Sequence, residues 1–372
     1  MSVRALLVLL LLVLGSACSG GSSTPPPDDT GEGGPDGSVV GGGSPDGGPS
    51  PGGTSSALFT QPMPWTRDVS AVAKAAQSDT IINALQAAGG WGTGDFRTDF
   101  SPVVLRADAS TPHRSFTPKD DAWAQAELGD PDLAEFYRPD CDEVQVPLPS
   151  GGALEGESGY ACTSDGDCHL LVVDPAAHRL YEMWRADLSG GRLLGGCTAV
   201  WDLSRAYGDT LRGKGCSSAD GAGFPLTAML ATADEVAAGE VRHALRFILP
   251  NERIRRGIYV APATHSTFAT SGGASLPPYG VRLRLKASYE EAQLPSEGAR
   301  VLARALKRYG MFLSDGGNLP LTLASDRFAQ HTWASLNVNN RSLSALKVTD
   351  FEVVEPGTPV DWRADTTCYR NP

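Results

Sequence analysis

The chain contains no HExxH, no GxSxG and, in its folded part, no CxxC. That removes the sequence basis for a zinc protease, a nucleophile-elbow serine hydrolase and a thioredoxin-like oxidoreductase. Positive charge is also in short supply: 31 Lys and Arg stand against 43 Asp and Glu, for a formal net charge of −12. Binding to a nucleic-acid backbone needs a concentrated positive surface, which this balance does not provide. The closest approach to a phosphate loop, GDTLRGKG from Gly208, places Gly215 where a magnesium-binding hydroxyl belongs, so nucleotide binding is excluded. No His lies at ligand spacing from a pair of cysteines, and Asp165 with Asp167 falls far short of a six-oxygen calcium site. The reading therefore assigns no metal and no cofactor.

Long apolar runs are nearly absent as well. The single one, residues 5–14, follows Arg4 and is closed by the small residues Gly15-Ser16-Ala17 before Cys18. It is too short to span a bilayer and has the layout of a secretory leader, residues 1–18. A cysteine directly after small residues resembles the bacterial lipobox, whose thiol is acylated, although Leu14 stands one place further from Cys18 than that pattern has it. The alternative is ordinary cleavage near Ala17. Residues 19–57 are almost entirely Gly, Ser, Pro, Asp and Thr, too poor in apolar surface to offset the entropy of ordering, and read as a disordered tether. An acylated Cys18 in the lipid bilayer would hold the folded body, residues 58–372, off the membrane at the bacterial cell envelope or surface.

Beyond Cys18 there are six cysteines, an even number that suits an oxidising compartment and three disulfides. Cys162 and Cys168 bracket a tight turn and are expected to bridge locally. Cys197 and Cys216 bracket a longer loop, which leaves Cys141 to tie Cys368 to the body.

Within residues 58–372 strands dominate. Residues 169–173 and 180–184 flank the Asp174-Pro175 turn as a hairpin, and residues 198–203 form a further strand. Residues 241–249 and 281–287 both alternate apolar with polar side chains, the period of a two-faced strand. Residues 311–314 and 351–354 supply two short strands. Helices are expected over residues 79–88, with Ser78 as N-cap and Gly89-Gly90 as the stop, and from Glu297 to Arg308, with Ser296 as N-cap and Gly310 as the stop. Many short strands between Gly/Pro turns, with two peripheral helices, predict one mostly antiparallel β-sandwich or jelly-roll-like domain.

Seven phrases occur together: PMPWTRDVS from Pro62, VPLPSGGALEG from Val146, LLVVDPAAHRLYEMW from Leu170, SSADGAGFP from Ser217, AAGEVRHALRFILP from Ala237, PPYGVRLRLKAS from Pro277 and ALKRYGMFLSDGG from Ala305. As a set the chain resembles a group of secreted bacterial β-rich proteins and lipoproteins with no assigned activity. The resemblance implies no mechanism. It does imply that residues 62–354 form one structural unit.

The chemistry-bearing candidates come from the strands. Glu240, Arg242 and Arg246 share one face of the 241–249 strand, and Arg282, Arg284 and Lys286 form a second polar row. If both rows face one cleft, an acid among cations can position and protonate a hydroxyl-rich or anionic substrate. If they do not, they are solvated sheet faces with weak ion pairs. His243 falls on the apolar side and reads as a core histidine. His265, in a loop beside Ser266 and Thr267, is either a proton shuttle or a packing residue. Glu182 and Asp202 stand near Trp184 and Trp201, and carboxylates beside aromatic rings suit sugars. Asp315-Gly316-Gly317-Asn318 reads as a turn, with a ligand-binding loop as the minority alternative. The resulting expectation is a protein that binds or cleaves an extracellular polysaccharide, as a hydrolase or lyase using Glu240 and His265 with Arg242, Arg284, Lys286, Glu182 and Asp202 holding the glycan. The alternative is a surface binding module without enzymatic activity.

The leader makes the first testable statement. Mass spectrometry of the mature protein should find a diacylated Cys18 at the N-terminus; an unmodified terminus elsewhere would remove the anchor.

Overall fold

Residues 58–119, 140–164 and 166–372 are described by a computed structural model; the leader, the tether with Cys18, and Asp165 lie outside them. Ten strands build two sheets: Thr98–Asp99 (β1), Val104–Arg106 (β2), Leu170–Asp174 (β3), Arg179–Trp184 (β4), Cys197–Asp202 (β5), Leu245–Leu249 (β6), Arg282–Leu285 (β7), Met311–Gly316 (β8), Leu321–Thr322 (β9) and Phe351–Val354 (β10). The six-stranded sheet runs β1-β9-β6-β8-β7-β10 and the four-stranded sheet β5-β4-β3-β2. Antiparallel pairings outnumber parallel ones, but β1 with β9, β6 with β8, and β2 with β3 are parallel, so both sheets are mixed. Among the described residues the chain is β-rich with three helices, and no sheet closes into a barrel.

The helices follow from their caps. In α3, the third helix (Glu297–Arg308), the Ser296 hydroxyl accepts from the Ala299 amide, Glu297 occupies the first turn and Lys307 and Arg308 the last. Its face of Ala299, Val301, Leu302, Ala305 and Leu306 is buried in the main core. The first helix, α1 (Ser78–Ala87), begins one residue earlier than expected. Ser78 is inside it, and its hydroxyl accepts from the Val353 amide at 2.9 Å, tying the helix to β10 instead of capping it. A five-residue helix, α2 (Ala233–Ala237), is set by a capping box between Thr232 and Glu235.

Two expectations about strand faces are corrected. Strand β6 begins only at Leu245, because the preceding residues bond elsewhere: the Ala244 amide donates to the Trp65 carbonyl, and His243 is buried against Glu235. Glu240 and Arg242 therefore lie outside the strand, whereas Arg246 is inside it and buried. Strand β7 has no solvated face, since all four of its residues are buried. Arg282 donates to the carbonyls of Tyr309 and Arg67 and to Glu355, and Arg284 to Glu352 and the carbonyls of Val69, Ser70 and Val72. The two arginines clamp the 64–72 segment onto the sheet, and their charge is matched by acceptors distant in sequence.

The disulfides need a further correction. Cys162–Cys168 is present, but Cys141 pairs with Cys197 and Cys216 with Cys368. The reason is strand placement. The Asp142 amide donates to the Thr198 carbonyl along the free edge of β5, which brings Cys141 beside Cys197. Residues Gly213–Lys214 pair antiparallel with Tyr369–Arg370, which sets Cys216 against Cys368. Three disulfides fit an extracytoplasmic compartment, and no helix among the described residues is long and apolar enough to cross a membrane.

Non-reducing peptide mapping should return these three pairs. Because the Cys216–Cys368 bridge spans 152 residues and Cys162–Cys168 only 6, removing the former should destabilise by ~5 kcal/mol and the latter by ~2 kcal/mol on loop-closure entropy. Equal losses would show that chain entropy does not govern their contribution.

Candidate functional site

Strand register assembles a polar row on one face of the six-stranded sheet. Asp99 on β1 is opposite Thr322 on β9, and Thr322 is opposite Arg246 on β6. The Arg246 guanidinium donates to the Thr322 hydroxyl at 2.9 Å and, through Nε and Nη2, to Asp220 Oδ1 at 3.1 and 2.8 Å. Nη2 also reaches Asp315 Oδ2 at 3.4 Å. Asp315 comes into range because the β6–β8 register shifts between Phe247 and Ile248, skipping Ser314. A bulge of this kind re-aims side chains at the end of a strand.

Asp220 belongs to the 217–224 loop, which is fastened to β8. The Gly221 amide donates to Asp315 Oδ2 at 3.0 Å and the Ala222 amide to the Ser314 carbonyl at 2.8 Å. The Ser218 hydroxyl donates to the Phe224 carbonyl at 2.6 Å and closes the loop on itself. Glycine is required at 221 because a Cβ there would meet Asp315 Oδ1 at 2.5 Å.

From the other sheet comes His169, just before β3. Its Nδ1 lies 2.6 Å from Glu155 and its Nε2 2.9 Å from the Ala219 carbonyl. Both partners are acceptors, so both ring nitrogens must carry hydrogen and the ring is an imidazolium. Burial opposes that charge, but the Glu155 carboxylate outweighs it and lifts the pKa to about 10. The Ser101 hydroxyl lies between Asp99, at 2.8 Å, and Glu155, at 3.3 Å, and so links the row to this pair.

The two aspartates at Arg246 are not equivalent. Asp220 is fully buried, whereas the Asp315 side chain keeps 22% of its surface. Burial and the neighbouring Asp220 push Asp315 up to about 7 against the pull of Arg246, and burial likewise raises Asp220. Two buried carboxyl groups at one guanidinium thus each bind a proton more tightly than a free aspartate does. Three buried hydroxyls surround them: Ser314 is set toward Asp220, and Thr267 toward Tyr279.

His265 adjoins this cluster through Gly221. Its Nδ1 donates to the Gly221 carbonyl at 2.8 Å, which fixes the tautomer and leaves the lone pair on Nε2. Burial depresses its pKa to about 4, so the ring is neutral at pH 7. Its ring stands edge-on to Trp362, with centroids 4.5 Å apart, and Trp362 in turn meets the exposed Phe268 at 4.8 Å.

The other residues singled out from the sequence are distributed as follows. Glu240 bonds Arg242 and Arg308, each at 2.9 Å, and Arg308 bonds Asp68; all four are on the surface. Arg284 is held by Glu352 and the 69–72 carbonyls, and Lys286 donates to the Thr349 carbonyl. Glu182 is buried in the four-stranded sheet, where it accepts from Trp201 Nε1 and the Thr227 amide. Asp202 caps Ser204 and pairs with Arg179 at 2.6 Å. Of the residues singled out from the sequence, Arg246 and His265 join the buried carboxyl cluster. Asp220, His169, Glu155 and Asp99 were not read as a site, and Asp315 was read first as a turn residue, with a ligand-binding loop as the minority alternative; Asp315 and Asp220 each precede a glycine, and the sequence signal of such a pair is that of a turn.

Comparison with family models, with curated proteins and with solved structures finds no match for this chain. The reading of the site therefore rests on its own geometry.

The Glu155–His169 pair predicts a pH dependence of stability. A folded pKa of about 10 against an unfolded 6.5 means that the stabilisation is full below about pH 6.5 and is lost as pH rises toward 10. Glu155→Gln should cost ~3–5 kcal/mol at pH 6, by leaving a buried cation unpaired, and should flatten the alkaline decline. Chemical denaturation of both proteins from pH 6 to 10 checks this; parallel curves would show that the pair does not carry the linkage.

Proposed function

We propose that this protein is a tethered extracytoplasmic enzyme that cleaves glycosidic bonds of an extracellular polysaccharide by acid–base catalysis. The observation that carries the reading is the Asp220–Arg246–Asp315 cluster with neutral His265 beside it: a proton donor near neutrality and a proton acceptor, joined through the Gly221 backbone. In this reading the acid is Asp315, not the surface Glu240. Protonated Asp315 gives its proton to the glycosidic oxygen while His265 Nε2 takes one from a water that attacks the anomeric carbon. The C–O bond to the leaving sugar breaks as the bond to the hydroxyl forms. The resulting Asp315 carboxylate is stabilised by the Arg246 guanidinium and the Gly221 N–H, donors already in place before the reaction. Asp220 is fully buried, so it acts by raising the proton affinity of its neighbour and not by contacting substrate.

The exported setting, the lipobox-like Cys18 and the exposed aromatic Phe268 near His265 support a glycan substrate and a surface location. A non-catalytic binding module is the second reading. It is favoured by the way Glu240, Arg242, Arg284 and Lys286 are each bonded to their own neighbours and do not converge on one site.

Reducing-sugar release from a panel of neutral and acidic polysaccharides separates the two. The enzyme reading expects a bell-shaped rate, falling below about pH 4 as His265 protonates and above about pH 7 as Asp315 loses its proton. Asp315→Asn should lower the rate roughly 10²–10⁴-fold, and Gly221→Ala should do so by displacing Asp315. Glycan binding with no release from any member of the panel would leave the binding module.

A further inference from the structure

Two parts of the site hang on one segment that the chemistry above does not use. Residues 360–371 run past both His265 and the stretch that leads into the Asp220 loop. At one end Val360–Asp361 pairs antiparallel with Ile258–Tyr259, and the Trp362 amide donates to the Gly257 carbonyl at 3.0 Å. That delivers the Trp362 indole, only 5% exposed, to the His265 ring. At the other end the segment is fastened to residues 210–216. Besides the pairing of Gly213–Lys214 with Tyr369–Arg370, Asn371 Nδ2 donates to Thr210 Oγ1 at 3.0 Å and to the Leu211 carbonyl at 2.9 Å. The Asn371 backbone N–H donates to the Arg212 carbonyl at 2.9 Å, and Cys368 is bonded to Cys216. Glycine is required at 215, where φ is +78° and a Cβ would meet the Thr367 carbonyl oxygen at 2.2 Å.

Cys216 is where the two ends meet. Its carbonyl accepts from the Thr264 hydroxyl at 2.7 Å, and the Gly215 amide donates to the Thr264 carbonyl at 2.9 Å. Across the loop, the Ala222 carbonyl accepts from the amides of Thr264 and His265, at 3.0 and 3.3 Å. The backbone at Thr264 and His265 is thus bonded to both feet of the loop that carries Asp220 and Gly221, and the bridge to Cys368 holds the first foot. Among the described residues the His265 ring meets the Gly221 carbonyl and the Trp362 indole, and its burial keeps it neutral. Cys216 is fully buried and Cys368 only 6% exposed. An attacking thiolate has little access to such a bridge, which suits a lasting fastening better than a redox switch.

We propose that residues 360–371 are the positioning element of the acid–base site, holding His265 through Trp362 and the Asp220 loop through Cys368. This rests on the acid–base reading above, but its test needs no substrate. In the full chain the His265 ring is followed by NMR from pH 3 to 8, with His265→Gln to assign it. In the wild type it should titrate near pH 4. Trp362→Ala opens the ring to water and should move that midpoint up toward the ~6.5 of a free imidazole, whereas Trp362→Phe should keep it low. Replacing Cys216 and Cys368 together by Ser should move it the same way; replacing Cys162 and Cys168 together should not. A role in stability alone lowers the melting temperature and leaves the ring of the folded protein titrating where it did. An unmoved ring in either folded variant, or an equal shift on removing Cys162–Cys168, therefore overturns the proposal. Loss of folding in Trp362→Ala overturns it too, because the segment would then support the core and not the site. Should the double serine variant fail to fold, Trp362→Ala, which leaves every covalent link intact, decides alone. If the wild type cleaves a polysaccharide, the acid limb of its rate profile should move with the ring, and kcat at pH 5 should fall roughly 10-fold or more with KM nearly unchanged. A ring that moves in a protein without turnover keeps the positioning and removes the enzyme reading.

Discussion

A guanidinium cannot be buried without acceptors, and the placing of Arg246 constrains everything around it. Its three nitrogens are committed to Thr322, Asp220 and Asp315, which come from β9, the 217–224 loop and the bulged end of β8. Removing one partner from such a site leaves a buried charge uncompensated, a loss of ~3–5 kcal/mol. The loop, the bulge and the strand register must therefore form together. His169 extends the same constraint to the second sheet, because its Nε2–H requires the Ala219 carbonyl next to Asp220. The two sheets, which share the main apolar core through Val173, Leu180 and Trp201, are thus also joined at a polar seam.

The same principle recurs on β7, with a different result. Arg282 and Arg284 are as buried as Arg246, but most of their acceptors are backbone carbonyls of the 64–72 segment, together with Glu355 and Glu352. Those bonds are structural. They hold an irregular N-terminal segment against the sheet. Arg246 faces two carboxylic acids instead, and that difference in partner turns one buried arginine into an electrostatic control on a proton and the other two into clamps.

How far this could be read from sequence depends on whether the information is local. Strand positions were legible wherever short apolar runs stood between turn residues, as for β3, β4, β5, β8 and β10, and α3 was legible from Ser296 and its apolar stripe. Polar faces were not. Alternation of Arg with Leu in β7 is the pattern of a half-solvated strand, and only contacts more than two hundred residues distant reverse it. The disulfides failed for the same reason: the Cys216–Cys368 pairing is dictated by a ribbon between Gly213–Lys214 and Tyr369–Arg370, which no local spacing encodes. His265 was legible as a loop histidine among hydroxyls. Asp315 and Asp220 were not, because Asp followed by Gly signals a turn whether or not the carboxylate has a second duty.

The seam is also an inefficient way to hold two sheets together. Replacing buried ions by well-packed apolar side chains of similar volume is commonly neutral or stabilising, and the Ser314 hydroxyl is set toward Asp220 and the Thr267 hydroxyl toward Tyr279 in the same buried place. A fold maintained for stability alone has no reason to gather these groups around two acids and to leave one acid open to solvent. Local rules are broken most readily at functional sites, and a buried guanidinium facing two aspartates, one of them partly open to solvent, is the arrangement on which the acid–base proposal above rests.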